Sequence, residues 1–263
     1  MAFPISVRIR LALVVAVIGA FFVSSTIAQH SPTTGNTRQP VLVELFTSEG
    51  CSDCPPADAL LERLDSTQFA PGVEAIVLSE HVTYWNHLGW RDPFSFQAMD
   101  QRQRQYSQRL SLDEIYTPQI IVDGTQQLIG SDAAALSHAL AIAASSPKQQ
   151  IAIEAANRTQ NSVHFTVRIL PGSKATLVAA LAENATHSDV ARGENAGRTL
   201  HHVSVVRVLK EFDSKDADGR PLSLPEPPAF SVDKATGPLR LVVFLADRNT
   251  GRILAVAEQN INR

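Results

Sequence analysis

Residues Glu44 to Leu64 read ELFTSEGCSDCPPADALLERL and contain both cysteines of the chain, Cys51 and Cys54. Just before them, Val41 to Phe46 is a short apolar run of β-forming residues, which predicts a buried strand. Just after them, Ala57, Leu60, Leu61 and Leu64 stand at i, i+3, i+4 and i+7, which predicts a helix. The cysteine pair therefore lies on a strand-to-helix turn. Such a pair can be a structural staple, half of a metal site or a redox centre.

Further along, Val73–Leu78 is a second apolar strand, and the polar, Gln/Arg-rich residues 94–110 read as an exposed helix. Gln119–Val122 is a third strand, closed by the hairpin signal Asp123-Gly124 and partnered by Gln126–Ile129. Ser131-Asp132 caps an Ala/Leu-rich helix running to about Ala144. After Ser145-Ser146-Pro147 the texture changes to short, partly alternating runs: Ile151–Asn157, Val163–Leu170, Ala175–Leu181, His201–Leu209, Leu241–Leu245 and Ile253–Glu258. Turn residues such as Pro171-Gly172 separate several of them, which predicts antiparallel β-structure. The expected architecture is an α/β domain over residues 41–146, with a helical insertion at 82–111, followed by a β-sandwich-like domain over 147–263.

At the N-terminus, Arg8 and Arg10 precede the uncharged, mostly apolar run Leu11–Val23, and Thr26-Ile27-Ala28 follows. A basic region, a short apolar region and a small-residue site describe a secretory signal peptide cleaved near Ala28. The run is too short to span a hydrocarbon core of about 30 Å at about 1.5 Å per residue. Residues 29–40 read as a flexible lead-in, and the mature protein is expected in the periplasm or secreted. With 44% hydrophobic residues the chain should be globular, with enough length for two cores or one large domain. The formal net charge is −3, made more negative when Arg8 and Arg10 leave with the signal. No basic patch is evident, so neither nucleic acid nor an anionic membrane is an expected partner. No phosphate loop, serine-nucleophile motif or dinucleotide fingerprint appears.

A four-residue disulfide loop stabilises by about 2 kcal/mol, against about 4.7 for a loop of a hundred residues, so a staple there serves a chain of this size poorly. A closed zinc site needs four ligands, and His81 and His87, the nearest candidates, are not at the spacing typical of zinc ligands. No metal or bound cofactor is expected. The redox reading fits best. A thiol at a helix N-terminus faces the positive end of the macrodipole, and a second thiol one turn on can resolve a mixed disulfide. Pro55 and Pro56 suit a first helical turn, and Asp53 opposes thiolate formation. Five ring side chains (His81, Tyr84, Trp85, His87 and Trp90) crowd ten residues, as a local hydrophobic plug or as a groove wall beside Cys51. Arg192–Arg198 is a loop, either solvated or the place where the β half meets the cysteines. His202 is expected to be buried and neutral.

Strand, CxxC, helix and then Tyr116-Thr117-Pro118 before Gln119–Gly124 resembles the thioredoxin fold. The resemblance implies a cis Pro118 beside the cysteines. The blocks VELFTSEGCSDCPPADALL, HVTYWNHLGWRDPF, YTPQIIVDG and RGENAGRTLHHVSVVR are similar to an exported bacterial family, domain of unknown function 1223, which is thioredoxin-like and whose reaction is not established. Together these lead us to expect an α/β thioredoxin-like domain followed by an all-β sandwich-like domain, acting in thiol–disulfide exchange. Cys51 would attack and Cys54 resolve, with Thr117, Pro118 and Trp85 shaping a substrate groove. The partners would be protein thiols or disulfides and a redox partner. The competing expectation is a non-catalytic exported binding module whose cysteines hold copper or zinc or form a structural disulfide.

Overall fold

The computed structural model describes residues 1–2, 38–170, 175–227 and 238–261. Apart from Met1 and Ala2, the expected signal peptide lies outside the described residues. So does most of the lead-in, although Gln39 and Pro40 open the first strand.

The first half alternates strand and helix: β1 (Gln39–Thr47), α1 (Pro55–Thr67), β2 (Val73–His81), α2 (Gln97–Arg109), β3 (Gln119–Val122), β4 (Gln126–Ile129) and α3 (Ala133–Ala144). The second half is nearly all strand: β5 (Ile151–Arg158), β6 (Ser162–Ile169), β7 (Ala175–Asp189), β8 (Thr199–Asp213), the single turn α4 (Ser214–Ala217), β9 (Leu222–Pro225), β10 (Leu239–Asp247) and β11 (Ile253–Ile261). Local chemistry explains several boundaries. Asp132 caps α3 by accepting from the amides of Ala134 and Ala135. Asp123 and Gly124, both with positive φ, make the tight turn that joins β3 to β4.

The strands assemble differently from the expectation. Eight of them form one mixed sheet in the order β11-β10-β7-β8-β2-β1-β3-β4, and β5-β6-β9 form a second, three-stranded sheet. Strands from both sides of residue 147 thus share one sheet. The join is parallel pairing of β2 with β8 at Ser79 and Val205. The expected α/β thioredoxin-like domain followed by a separate sandwich is therefore corrected to a mostly-β protein with few helices.

The physical reason is a shared core. Leu42, Phe46, Ile76 and Leu78 from the first half pack with Val178, Val206, Val242 and Phe244 from the second, under Met99 and Tyr106 of α2. Neither set could stay dry without the other, and buried apolar area is the main stabilising term. On the opposite face, α1 and α3 cover β1, β2 and β3. Farther along the sheet, β7 and β10 meet the three-stranded sheet through Leu177, Leu181, Leu241 and Leu245.

Helix α2 is not the exposed helix its composition suggests. It buries Met99, Asp100, Arg102, Gln103 and Tyr106. Arg102 Nε donates to Glu44 Oε1 at 2.6 Å, and the Tyr106 hydroxyl donates to Glu44 Oε2. Burial, with the neighbouring Glu44 charge, pushes the Glu80 carboxyl well above its ordinary range.

Candidate functional site

The turn between β1 and α1 places Cys51 and Cys54 in contact, and they form a disulfide. Cys54 is the N-cap residue of α1, with Pro55 and Pro56 in the first turn. Its carbonyl accepts from the amides of Ala57 (2.9 Å) and Asp58 (3.1 Å). The two prolines have no N–H, so the donors usually free at a helix start are missing or already used here. The macrodipole still favours negative charge at this end, but those amides cannot hydrogen-bond a thiolate.

Both sulfurs are buried, Cys51 with 1% of its surface exposed and Cys54 with none. Cys51 Sγ lies 3.9 Å from the carbonyl oxygen of Thr117, and the Thr117–Pro118 peptide is cis. Trp85 Nε1 donates to Thr117 Oγ1 at 2.7 Å. Three of the residues singled out in the sequence, Cys51, Thr117 and Trp85, are thus linked in space. A groove of about 700 Å³ runs beside them, lined by Ser52, Asp53, Tyr116, Thr117, Pro118 and Ile129 among others. Trp85 does not line it. It supports the groove from behind while packing on the core beneath α2.

Three contacts to the Arg192–Arg198 loop cover the cysteine turn. Asn195, itself buried, donates from Nδ2 to the carbonyls of Glu49 and Cys51, both at 2.9 Å. The Ser52 amide donates to Glu194 Oε2 at 3.0 Å. Gly193 packs so closely on Trp90 that a Cβ there would stand 3.0 Å from the Trp90 Cβ. This segment, carried on the β7–β8 ribbon, is a strap across the cysteines.

Behind the turn lies a buried polar network that the sequence did not reveal. Glu49, with no exposed surface, accepts from Trp90 Nε1 (2.7 Å), from the Ser188 hydroxyl and from His202 Nε2 (3.2 Å). Its amide donates to Asp92 Oδ2, which also pairs with His81 Nδ1 at 2.7 Å. The other ring nitrogen of His202 stands 3.8 Å from Asp58 Oδ2, an ion-pair distance too long for a hydrogen bond. Asp58 in turn accepts from Thr47 Oγ1 at 2.9 Å. The rings of His81 and His202 meet edge to face, 4.6 Å between centroids.

His202 is buried as expected but not neutral. Burial opposes the imidazolium, yet the carboxylates of Asp58 and Glu49 outweigh it and raise its pKa from 6.5 to about 10. Burial likewise opposes the charge of Asp92, and His81 with the Glu49 and Phe94 amides overcomes it, holding that carboxyl below its ordinary range. Of the first two histidines after the cysteines in sequence, His81 is in this network, whereas His87 is exposed and bonds the Tyr84 carbonyl. Among the described residues no group of three or more His, Cys, Asp or Glu is placed to hold a metal ion. None of their helices is long and apolar enough to cross a membrane.

Residues 42–245 match a family model described as "Protein of unknown function (DUF1223)". The chain belongs to this DUF1223 family. Comparison with curated proteins gives no match. Among solved structures, the DUF1223 chain is similar to protein AGR_C_4864 from Agrobacterium tumefaciens, at 24% identity and a TM-score of 0.60. That alignment covers 83% of this chain and 92% of the other. It is also similar to HBP35 of Porphyromonas gingivalis, at 10% identity and a TM-score of 0.55, covering 85% of this chain and 76% of that one. At these identities the likeness concerns the fold, and it extends across strands on both sides of residue 147, in keeping with one continuous sheet.

Proposed function

We propose that this DUF1223 protein is an exported thiol–disulfide exchange protein whose reacting pair is Cys51 and Cys54. The observation that carries the reading is the position of the disulfide: at the start of α1, with Cys51 Sγ against the Thr117 carbonyl and Thr117 forming a groove wall. In the dithiol form, the Cys51 thiolate attacks one sulfur of a substrate disulfide, forming a mixed disulfide and releasing the other as a thiolate. Cys54, losing its proton, then attacks Cys51 Sγ. The intramolecular disulfide forms and the second substrate thiolate leaves. Two electrons pass from the pair to the substrate, and the reverse sequence oxidises a substrate dithiol. The reaction needs no bound cofactor, only a redox partner for turnover.

Burial adds one requirement. A substrate sulfur reaches Cys51 only after the turn opens, and the Glu194–Asn195 strap, hydrogen-bonded to Glu49, Cys51 and Ser52, is the segment we propose to move.

Trapping tests the assignment. Cys54→Ser removes the resolving step and should accumulate reducible covalent complexes with exported proteins. Cys51→Ser should yield few, because Cys54, at the N-cap of α1, has no exposed surface. Equal trapping by both variants, or by neither under oxidising growth, would sink the assignment. The burial of both sulfurs favours a second reading, an inert disulfide that fixes the turn in a non-catalytic binding module. That reading requires both variants to be silent.

A further inference from the structure

The groove beside Cys51 has a charge character of its own. Its walls come from two segments, residues 39–62 and 110–147, and neither contains a Lys or an Arg. Their acidic residues divide into two groups. Glu44, Glu49, Asp58 and Asp123 are buried and engaged inside the protein. Asp53, Glu62, Asp113, Glu114 and Asp132 are exposed, Asp132 as the cap of α3, and among the described residues none of the five forms an ion pair. Asp53 lines the groove, and Asp113 and Glu114 stand three and two residues before Tyr116, which lines it too. No strap residue contributes to its walls. Charges of one sign around a concave, partly apolar site attract ligands of the opposite sign and raise their local concentration.

The shape of the site points to an extended ligand. Strand β4 is the outermost strand of the eight-stranded sheet at this end, so one row of its backbone donors and acceptors is unpaired within the sheet. Ile129, at the end of β4, lines the groove with 58% of its surface exposed. A free strand edge, an exposed isoleucine and an acidic rim are what an extended basic peptide recognises: backbone pairing gives affinity, and the flanking charges give selectivity.

Building on the exchange reading, we propose that the groove selects cysteines flanked by Lys or Arg, in an extended segment lying along β4. The partner class is basic cysteine peptides of exported proteins.

The test uses the full chain in its reduced form and two synthetic peptide disulfides. Each is a symmetric dimer of a seven-residue peptide with a central cysteine, flanked by Lys in one and by Glu in the other. Single-turnover oxidation of the protein should be at least about tenfold faster with the Lys peptide at low salt, and the gap should shrink at about 0.5 M salt. The Asp113→Asn/Glu114→Gln double variant keeps the cysteine turn intact, Asp53 included, and its Lys-to-Glu rate ratio should fall at least about threefold. Equal rates for the two peptides, a preference for Glu, or an unchanged ratio in the double variant would overturn the proposal and leave exchange standing. If neither peptide nor the uncharged disulfide of 2-mercaptoethanol oxidises the protein, exchange itself fails, and this inference with it.

Discussion

His202 ties protein stability to pH, and the sign follows from its surroundings. Its pKa lies near 10 in the folded protein and near 6.5 when the ring is solvated. Between those values the folded state holds one proton more than the unfolded state, so stability falls as pH rises. The contribution is complete below pH 6.5 and lost as pH climbs through about 10. At 1.36 kcal/mol per pH unit the full span is worth about 5 kcal/mol, and a rise from pH 6.5 to 9.5 removes about 4. His202→Gln removes the titrating group while keeping a polar side chain near Glu49 and Asp58. The variant should be less stable at neutral pH by about 3–5 kcal/mol, since two buried carboxylates lose their cation, and its stability should be nearly flat across this window. Urea unfolding followed by far-ultraviolet circular dichroism at pH 6.5, 8 and 9.5, for both proteins, measures the difference directly. A flat wild-type profile, or the same slope in both proteins, would refute the imidazolium between Glu49 and Asp58.

Three other outcomes follow from the packing. Asn195→Ala removes two buried hydrogen bonds that hold the strap, so Cys51 of the reduced protein should alkylate with N-ethylmaleimide about tenfold faster by mass spectrometry; an unchanged rate would mean that the strap does not control access. Gly124→Ala forces a left-handed φ on alanine and drives its Cβ onto the Gly251 carbonyl, and should cost about 3 kcal/mol in urea unfolding; a loss below about 1 kcal/mol would contradict the close approach of the two turns. A fragment of residues 40–146 strips Val178, Val206, Val242 and Phe244 from the core shared with Leu42 and Ile76, so it should show no cooperative melting transition by circular dichroism; a sharp one would mean that the first half folds alone.

Much of the secondary structure was legible because local signals act locally. β3 and β4 lie where the apolar runs around Asp123-Gly124 put them, and Asp132 caps α3 as its position suggests. The assembly was not legible, since the two halves meet edge to edge at Ser79 and Val205, a long-range pairing that leaves no periodic mark. Helix α2 misled for a definable reason. Its buried positions Met99, Arg102, Gln103 and Tyr106 do follow helical spacing, with Asp100 buried beside them, but Asp100, Arg102 and Gln103 are polar and are satisfied by Thr83, Glu44, Tyr116 and Gln119. The cysteine turn stood out from residue type and order, whereas Thr117 and Pro118 stood out only through a resemblance to another fold. Glu49, Asp58 and Asn195 did not, because a buried polar residue looks like a surface one until its partners are known. For Asn195 the signal available was the loop at Arg192–Arg198, whose charged, glycine-containing sequence fits either a solvated connection or a contact with the cysteines.

In the proposed role the Cys51–Cys54 disulfide exchanges electrons with substrates and does not merely fix a turn. Its reduction potential, measured by equilibrating the full chain with defined glutathione and dithiothreitol buffers and counting free thiols, tests this most directly. An exchange centre should lie roughly between −120 and −270 mV, the range of known dithiol catalysts; a value below about −300 mV would mark a structural disulfide and contradict the account.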